Sequence, residues 1–513
     1  MAESGDLEFA RLPGAAPAEH AQVDAAGWRA VCGRVAAEGG RLVALWGSDG
    51  TQSRGGVLAV HAALAASGGL LLVTLPVPER AYPDVSDLFP AANRMQRAVF
   101  DLLGVSASGA PDHRPWLRHG AWPPDVFPLR KSGRDDTVFD NVGDAYPFVH
   151  VAGDGVHEIA VGPVHAGTIE PGHFRFSVIG ERVLRLEERL GYAHKGIERR
   201  FEQLDLMEGA RLAGRVSCDS TVAYAWAYAM AVESACGIEP TPRAAWLRAL
   251  CLERERIANH LGDLGFLGND AGLAFGLAQF SRLKEDVLRA NHAMFAHRYL
   301  MDAIVPGGTA VNVAPDVVQR FVGHAGQLAH DVCALRQIYE EHDGLRDRFA
   351  TTGSVSPTLA TWLGIIGLAG RASGQAHDAR VDWPTPPYDD VTPAIVVRSY
   401  GDVAARIAVR FDEVLESCRL VARLAGGLPE GPSRAEVALP TAPAFGLGVV
   451  EAWRGPVLVA LDAGPGNRVL RCHPHDPSWQ NWPALEHAVI GNIVPDFPLI
   501  NKSFNLSYSG HDL

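Results

Sequence analysis

The sequence has no stretch that could cross a membrane as a helix. Its 513 residues contain no run of roughly 18 uninterrupted apolar residues, the length that a bilayer requires. The first residues, MAESGDLEFARLPG, lack the basic region followed by an apolar one that marks a secretory signal. We therefore expect a cytoplasmic location, with any membrane attachment made through partner subunits.

Basic residues are too few for a nucleic-acid binder. The chain has 46 Lys and Arg against 59 Asp and Glu, which gives a net charge of −13. Nucleic-acid affinity depends mostly on neutralising phosphates, and adhesion to anionic lipid also needs a basic surface. The charge balance therefore argues against both kinds of partner.

Cysteine pairs and the common catalytic motifs are missing. The seven cysteines include no CxxC pair, which argues against a disulfide framework and against a self-contained zinc or iron–sulfur site. No GxxxxGK, GxSxG or HExxH motif occurs. The Gly-rich turn AGPGN at residues 463–467 does not lead from a strand into a helix, so NADH should bind elsewhere.

The length predicts two or three domains. Residues 1–131 have the mixed pattern of a small α/β domain, whose Pro-rich and Gly-rich end at 106–131 indicates an extended surface connector. Residues 132–150 are predicted to be a linker. Within the first domain the patterns predict strands at 41–46 and 70–75 and helices at 28–37, 57–66 and 93–103.

Residues 151–513 form the second predicted domain, which is mainly helical. It opens with strands that suggest a hairpin turned at Gly180. The Ala-rich and aromatic residues 222–236 predict a helix buried on most sides. The fold class is therefore α+β, a small α/β domain followed by a helical domain with a small sheet region.

Ionisable groups cluster near the predicted hairpin. Side chains on turns and strand ends can reach a cleft, as proton transfer requires, but scattered histidines on a surface hairpin give the same pattern, and composition favours that second interpretation. The residues concerned are His165, Glu170, His173 and His194.

Three further features have two interpretations each. Cys218 starts a helix and could be an activated thiol, yet no partner base is evident, which favours a structural thiol. Arg248, Arg254 and Arg256, with Asn259 and His260, could line a site, but a solvated helix face with local Glu–Arg pairs is favoured. Residues 371–388 are expected to form a long loop, which favours a functional or interface element over a merely disordered segment.

Long motifs identify a family resemblance. The second domain resembles the large subunit of membrane-bound nickel–iron hydrogenases of the formate hydrogenlyase and hydrogenase-4 type, and the 49-kDa quinone-site subunit of respiratory complex I. The first domain resembles the 30-kDa subunit of complex I. The matching segments are QRAVFDLLGV (96–105), FPLRK (127–131), GPVHAGTIEPGHFRF (162–176), GYAHKGIE (191–198), AYAMAVE (227–233), ERIANHL (255–261), RASG (371–374), VEAWRGP (450–456) and IVPDFPLINKSF (493–504).

The resemblance also exposes what this chain lacks. Hydrogenases of this type hold nickel and iron with two CxxC pairs, because soft thiolates suit these metals. The matching positions here are Ser217, Ser220, Ser507 and Gly510, and Cys218 takes a glycine position between the first two. The sequence ends at Leu513, so no long tail of the kind removed after nickel insertion is expected. A nickel–iron centre is therefore not expected.

The quinone-site residues of the complex I relative are also replaced. The position of its histidine falls on Ile169 and that of its tyrosine on Cys218. A quinone would need His165 or His173 as a substitute partner.

The resemblance assigns roles to residues that are kept. Glu170 matches a proton-gating glutamate, and Arg215 matches an arginine beside the terminal 4Fe–4S cluster of the neighbouring small subunit. Asp219 and Arg371 would line the same cavity, and His165 is a further candidate catalytic residue. No cofactor is expected to be held firmly by this chain itself.

Together these points predict a subunit of a membrane-associated, complex I-like oxidoreductase that couples electron transfer to proton or ion translocation without nickel and iron. The implied partners are a small iron–sulfur subunit, a ferredoxin-like iron–sulfur subunit and ion-translocating membrane subunits, with peripheral attachment to the cell membrane. A non-catalytic scaffold and a quinone-reducing NADH dehydrogenase-type subunit remain alternatives.

Overall fold

The computed structural model describes residues 8–50, 57–132, 138–140, 143, 145–165 and 169–513. The N-terminal unit, residues 8–132, is built on a five-stranded sheet in which only the contact between its second and third strands, in spatial order, is parallel. Two helices pack with this sheet, and a short two-stranded ribbon joins Ala81–Pro83 to Ser106–Ser108. In spatial order the sheet strands are Ala10–Arg11, Ala18–Gln22, Gly69–Pro76, Leu58–Ala66 and Arg41–Asp49, and the helices are Ala25–Ala37 and Ala92–Leu103.

The segment expected to be a helix at residues 57–66 is a strand, Leu58–Ala66. Its Ala and Leu content favours a helix. In the sheet, however, it pairs with a strand on each side and is buried along almost its whole length. Tertiary pairing and burial on both faces therefore override the local preference.

The C-terminal unit, residues 145–513, combines two three-stranded antiparallel sheets with a helical body. The predicted hairpin is confirmed, with its turn at Gly180 between the last two strands of the first sheet. The first sheet comprises Val156–Val161, His173–Ile179 and Arg182–Arg189, and the second comprises Ala444–Glu451, Pro456–Gly464 and Arg468–His475. The helices are Ile197–Phe201, Leu206–Ala213, Thr221–Cys236, Pro242–Asp270, Ala274–Phe295, Pro315–Glu341, Asp343–Phe349, Pro357–Leu363, Gly367–Ala372, Ala379–Asp382, Val403–Gly426, Ser478–Ala488, Phe497–Phe504 and Tyr508–Asp512.

Helix Thr221–Cys236 is buried on nearly every side, as its composition predicts. The strand Ala444–Glu451 runs along it at unusually close range. A Cβ atom on Gly446 would lie 1.9 Å from the Ala231 carbonyl oxygen, and one on Gly448 would lie 1.9 Å from that of Ala227. Only glycine lets the two backbones come this close.

The two units share a hydrophobic core. One continuous cluster of buried residues runs from Ala21 to Leu513, and polar groups cross the same boundary. Gln480 donates to the Val43 carbonyl at 2.6 Å, and Arg471 donates to that of Gly47 at 3.0 Å. The predicted boundaries at 131 and 150 stay predictions, and part of the predicted linker lies outside the described residues.

The expected connector at 106–131 does more than cross a surface. Its residues Trp116 and Leu117 are buried, and their amides donate to the Asp101 carboxylate at 2.6 and 2.7 Å. The expected loop at 371–388 likewise begins inside helix Gly367–Ala372 and contains the short helix Ala379–Asp382. Buried ion pairs of Arg371 and Arg380 hold its first residue and its short helix in the core.

The arginines of helix Pro242–Asp270 are not on a solvated face, contrary to the favoured interpretation. Arg248, Arg254 and Arg256 are each at most 2% exposed. Arg248 forms a bidentate ion pair with Glu233, and Arg256 donates to the carbonyls of Glu451 and Ala452. The spacing of charges along a helix cannot distinguish solvent from buried partners supplied by distant segments.

Glu255, on the same helix, caps helix Thr221–Cys236. Its carboxylate accepts hydrogen bonds from the amides of Val222 at 2.7 Å and Ala223 at 3.2 Å. Burial raises the pKa of Glu255 to about 8 in spite of these bonds. The cap is therefore a protonatable group at neutral pH.

No helix of the described residues is long and apolar enough to pass through a bilayer.

The close approach of strand and helix predicts a steric cost for Gly448→Ala. We expect a loss of about 2–3 kcal/mol in the free energy of unfolding, because the contacted atom is backbone and cannot rotate away. Urea denaturation measures it. The control is Gly426→Ala, in a helix end where a Cβ meets nothing within 4 Å, and equal stability of both variants would contradict the prediction.

Glu255 predicts a pH-dependent stability. The unfolded carboxyl titrates near pH 4.3, so between about pH 4.3 and about pH 8 the folded state holds a proton that the unfolded state has lost, and stability falls by up to about 1.4 kcal/mol per pH unit. Glu255→Gln should flatten this slope in urea unfolding measured across that range. The exposed Glu239→Gln is the control, and an unchanged slope in Glu255→Gln would refute the assignment.

Candidate functional site

The positions that match hydrogenase cysteines come together in space. Ser217, in the turn before helix Thr221–Cys236, lies beside Ser507, which begins the C-terminal helix Tyr508–Asp512. Their Oγ atoms are 2.9 Å apart. Ser507 Oγ also accepts from the Gly510 amide at 2.9 Å, and Ser220 is buried one turn from Ser217. Two segments almost 300 residues apart thus meet through a hydroxyl pair.

Gly510 has no room for a side chain. A Cβ atom there would lie 2.3 Å from Asp476 Oδ2. That carboxylate is fixed, since it accepts from the Tyr224 hydroxyl at 2.7 Å and from the Ser478 amide at 2.8 Å. A cysteine at this position would therefore collide with an anchored group.

Asp219 is the charged centre of this cluster. Arg454 forms a bidentate ion pair with it, at 2.5 and 2.9 Å, and Ser217 Oγ donates to it at 2.7 Å. Burial alone would raise the pKa of Asp219, but Arg454 and Ser217 outweigh it and hold the pKa below its ordinary value. The carboxylate is thus ionised and fully engaged.

These residues do not fit a nickel–iron group. Hydroxyls are hard, weakly acidic donors where soft thiolates are needed, and here the Ser217 and Ser507 hydroxyls already bond to protein groups. Across the part of the chain that the structure describes, no group of three or more His, Cys, Asp or Glu side chains is placed to hold a metal ion.

Glu170 lies at the exposed rim of the cluster. Its carboxylate accepts from both the hydroxyl and the amide of Ser509, the amide at 3.2 Å. His165 lies on the same segment, with Nε2 bonded to the Gly172 carbonyl at 2.8 Å. Residues 166–168 of the matching motif lie outside the described residues.

Cys218 is exposed beside Glu170 and Lys195. Burial, Asp219 and Glu170 raise the pKa of its thiol, although Lys195 opposes them. This agrees with a thiol that is not activated as a nucleophile. Ile169, the other position matched to the quinone site, is 44% exposed and offers no hydrogen-bonding side chain.

Arg215 and Arg371 lie apart from Asp219. Arg215 is on the surface, in a bidentate ion pair with Asp302 at 2.7 and 2.8 Å. Arg371 is fully buried and donates to Glu413 and Glu451, each at 2.8 Å. The roles assigned to all these residues by resemblance stay predictions, but only Asp219 shares direct contacts with the converging serines.

Several residues of the site were not singled out from the sequence. Arg454 stands inside the quoted motif VEAWRGP and Ser509 four residues from the chain end, yet neither has a pattern of its own. Tyr224 and Asp476 come from a core helix and a strand end. Since their partners lie far away in sequence, only the fold brings them together.

The Asp219–Arg454 pair gives a stability prediction. Arg454→Met should lower the free energy of unfolding by about 2 kcal/mol. This is less than the loss of about 3–5 kcal/mol typical when a fully buried pair is broken, because 35% of the Asp219 side chain is exposed. Combining it with Asp219→Asn should recover part of this loss in urea denaturation. Arg419→Met, which breaks a surface pair with Glu416, is the control. A double variant no more stable than Arg454→Met would contradict the pairing.

Comparison with known proteins gives matches to both units. Residues 21–135 match the family model of the respiratory-chain NADH dehydrogenase 30 Kd subunit, and residues 270–445 match that of the 49 Kd subunit. The solved structure of an archaeal membrane-bound sulfane sulfur reductase has a chain similar in fold, with a TM-score of 0.66 and 23% identity, covering 71% of this chain and 100% of that one.

Curated relatives match over most of the chain. Formate hydrogenlyase subunit 5 of Escherichia coli K12 is 30% identical over 93% of this chain and 85% of its own length. Hydrogenase-4 component G of the same organism is 29% identical over 92% and 84%. An NADH-quinone oxidoreductase subunit of Bacteroides fragilis is 29% identical over 68% and 69%. The chain therefore belongs to the family of formate hydrogenlyase subunit 5 and hydrogenase-4 component G, in which units of the complex I 30-kDa and 49-kDa types are joined.

Proposed function

We propose that this chain is the large subunit of a membrane-associated, complex I-like oxidoreductase, and that it couples electron transfer from an iron–sulfur partner to proton or ion translocation without a nickel–iron centre. The observation that carries the proposal is the replaced ligand set. The four matching positions hold three serines and a glycine, and the Ser217 and Ser507 hydroxyls bond to each other.

Proton handling is proposed to lie at Glu170. Its carboxylate is exposed to solvent yet bonded to Ser509, which belongs to the same short helix as Gly510. That helix begins at Ser507, whose hydroxyl is hydrogen-bonded to the Ser217 hydroxyl. The Ser217 hydroxyl in turn donates to the Asp219 carboxylate. A rim carboxylate beside a row of hydroxyls and an ionised aspartate is an arrangement suited to proton transfer.

The electron-carrying partner is proposed to dock near Arg215. The side chains of Arg215 and Asp302 are each about 40% exposed. Arg215 lies two residues before Ser217, so this ion pair offers a polar contact next to the turn that carries Ser217. A small iron–sulfur subunit with a 4Fe–4S cluster fits this position by resemblance, and a ferredoxin-like subunit and membrane subunits would complete the complex.

A scaffold role is the second candidate, and the closed cluster favours it. Asp219, Ser217 and Ser507 are all bonded to protein groups, which is also what a subunit that only joins others would need. A quinone site has less support, since His165 and His173 bond the carbonyls of Gly172 and Gly162 through ring nitrogens.

Metal analysis of the natively purified complex tests the main proposal. We expect iron in multiples of about four per complex, as cubane clusters require, with nickel well below one per complex. Stoichiometric nickel would overturn the proposal and direct attention to unexpected ligands such as Cys218.

Substitution of Glu170 separates coupling from scaffolding. In the assembled complex, with reduced viologen as the electron donor, Glu170→Gln should lower the turnover rate at least about tenfold. A positioned proton donor or acceptor typically raises a reaction rate by a factor of about 10²–10⁴. Glu181→Gln, exposed on the hairpin turn, is the matched control. Unchanged turnover with intact assembly would favour the scaffold.

A further inference from the structure

A cleft lies between the two units beside helix Ser478–Ala488. Its volume is about 830 Å³ with its open mouth. The N-terminal unit supplies one wall, residues 39–42 and 88–91, and the C-terminal unit supplies the other, residues 360–365 with Gln375 and His377. Gln480 lines its floor and is held by the Val43 carbonyl. The cleft shares no lining residue with the serine cluster.

Arg41 is the charged group of this cleft. Within the described residues its guanidinium makes no hydrogen bond or ion pair, and its Nε atom is cut off from water. A buried donor without a hydrogen-bond partner lowers the stability of the fold, and a charged donor lowers it more. The nearest acidic groups are engaged elsewhere, Asp382 with His377 and Glu451 with Arg371.

The same wall holds the start of a helix. Helix Ala92–Leu103 begins at the cleft with Ala91 at its N-cap, no side-chain cap and no acidic residue in its first turn. The amides of Ala92 and Asn93 donate to the carbonyls of Phe89 and Pro90, so only backbone groups offset the positive end of its dipole. Arg41 and this helix end place positive charge on the wall, partly offset by the nearby carboxylates of Asp382 and Glu451.

Apolar side chains line much of the rest of the cleft, together with the polar residues Thr361, Gln375, His377 and Gln480. Trp362 lies at the mouth and is 58% exposed, while Phe89 and Ile365 are buried in the walls. A concave site lined by apolar and aromatic side chains, with a few polar groups among them, is typical of small-molecule binding. An apolar body attached to an anionic head would satisfy both parts.

We infer that this cleft binds a small organic anion, with a carboxylate or phosphate head at Arg41 and an apolar body against Trp362 and Phe89. Arg is well suited to this task because its planar fork of donors matches two oxygens of either head group. The site lies between the two units, so an occupant would contact both.

Calorimetric titration of the full-length chain tests the inference, with inorganic phosphate and benzoate as separate probes. We expect saturable binding of at least one probe, weakened at least tenfold in Arg41→Gln. Arg34→Gln removes the same charge from the exposed side of helix Ala25–Ala37 and should change the affinity less than twofold. Saturation by phosphate alone or by benzoate alone would identify the head group.

Two results would overturn the inference. One is the absence of saturable binding of both probes, and the other is equal affinity in wild type and Arg41→Gln. If Arg41→Gln fails to fold, Thr361→Glu takes its place, because Thr361 is an exposed lining residue where a carboxylate would repel the anion. Thr361→Gln is its neutral control, and binding must be lost in the first and kept in the second.

Discussion

The close contact between strand Ala444–Glu451 and helix Thr221–Cys236 fixes the geometry on which the site depends. Gly446 faces Ala231 and Gly448 faces Ala227. The strand is therefore antiparallel to the helix, and two residues of the strand span about one helical turn. Continued along the same line, the strand end reaches the start of the helix. Arg454 accordingly meets Asp219 there, and their ion pair is a consequence of the backbone register.

Behind this contact, buried arginines pair with carboxylates inside the core. Arg371 joins Glu413 and Glu451, Glu413 also binds His260, and Arg380 joins Asp378 and Glu253. Removing one member would leave its partner charged and buried without a counter-charge, which is strongly destabilising. Through Glu413, Arg371 and Glu451, the network holds helix Val403–Gly426 to strand Ala444–Glu451, which ends three residues before Arg454. It therefore orients the site without touching it.

Composition predicted the buried helix and the hairpin, and the family resemblance matched Ser217 and Ser507 to positions of one ligand set. The local pattern misplaced residues 57–66, whose neighbours in the sheet decided their conformation, and it treated buried arginines as solvated. Arg454 and Asp476 were not recognisable as site residues, since each acquires its role from a partner more than 200 residues away. Local patterns report local preferences, and long-range pairing must come from the fold.

The position of Ser507 depends on how the C-terminal helix is held in the fold. Hydrogen bonds between hydroxyls contribute only about 1 kcal/mol each, too little to hold a five-residue helix by themselves. Here His511 stacks on Trp479 at 3.9 Å, and the Asp512 carboxylate accepts from the Ala193 amide at 2.8 Å. Packing and backbone contacts thus seat Ser507 independently. Once the segment is seated in this way, loss of the thiolates changes the chemistry of the site and leaves its architecture intact.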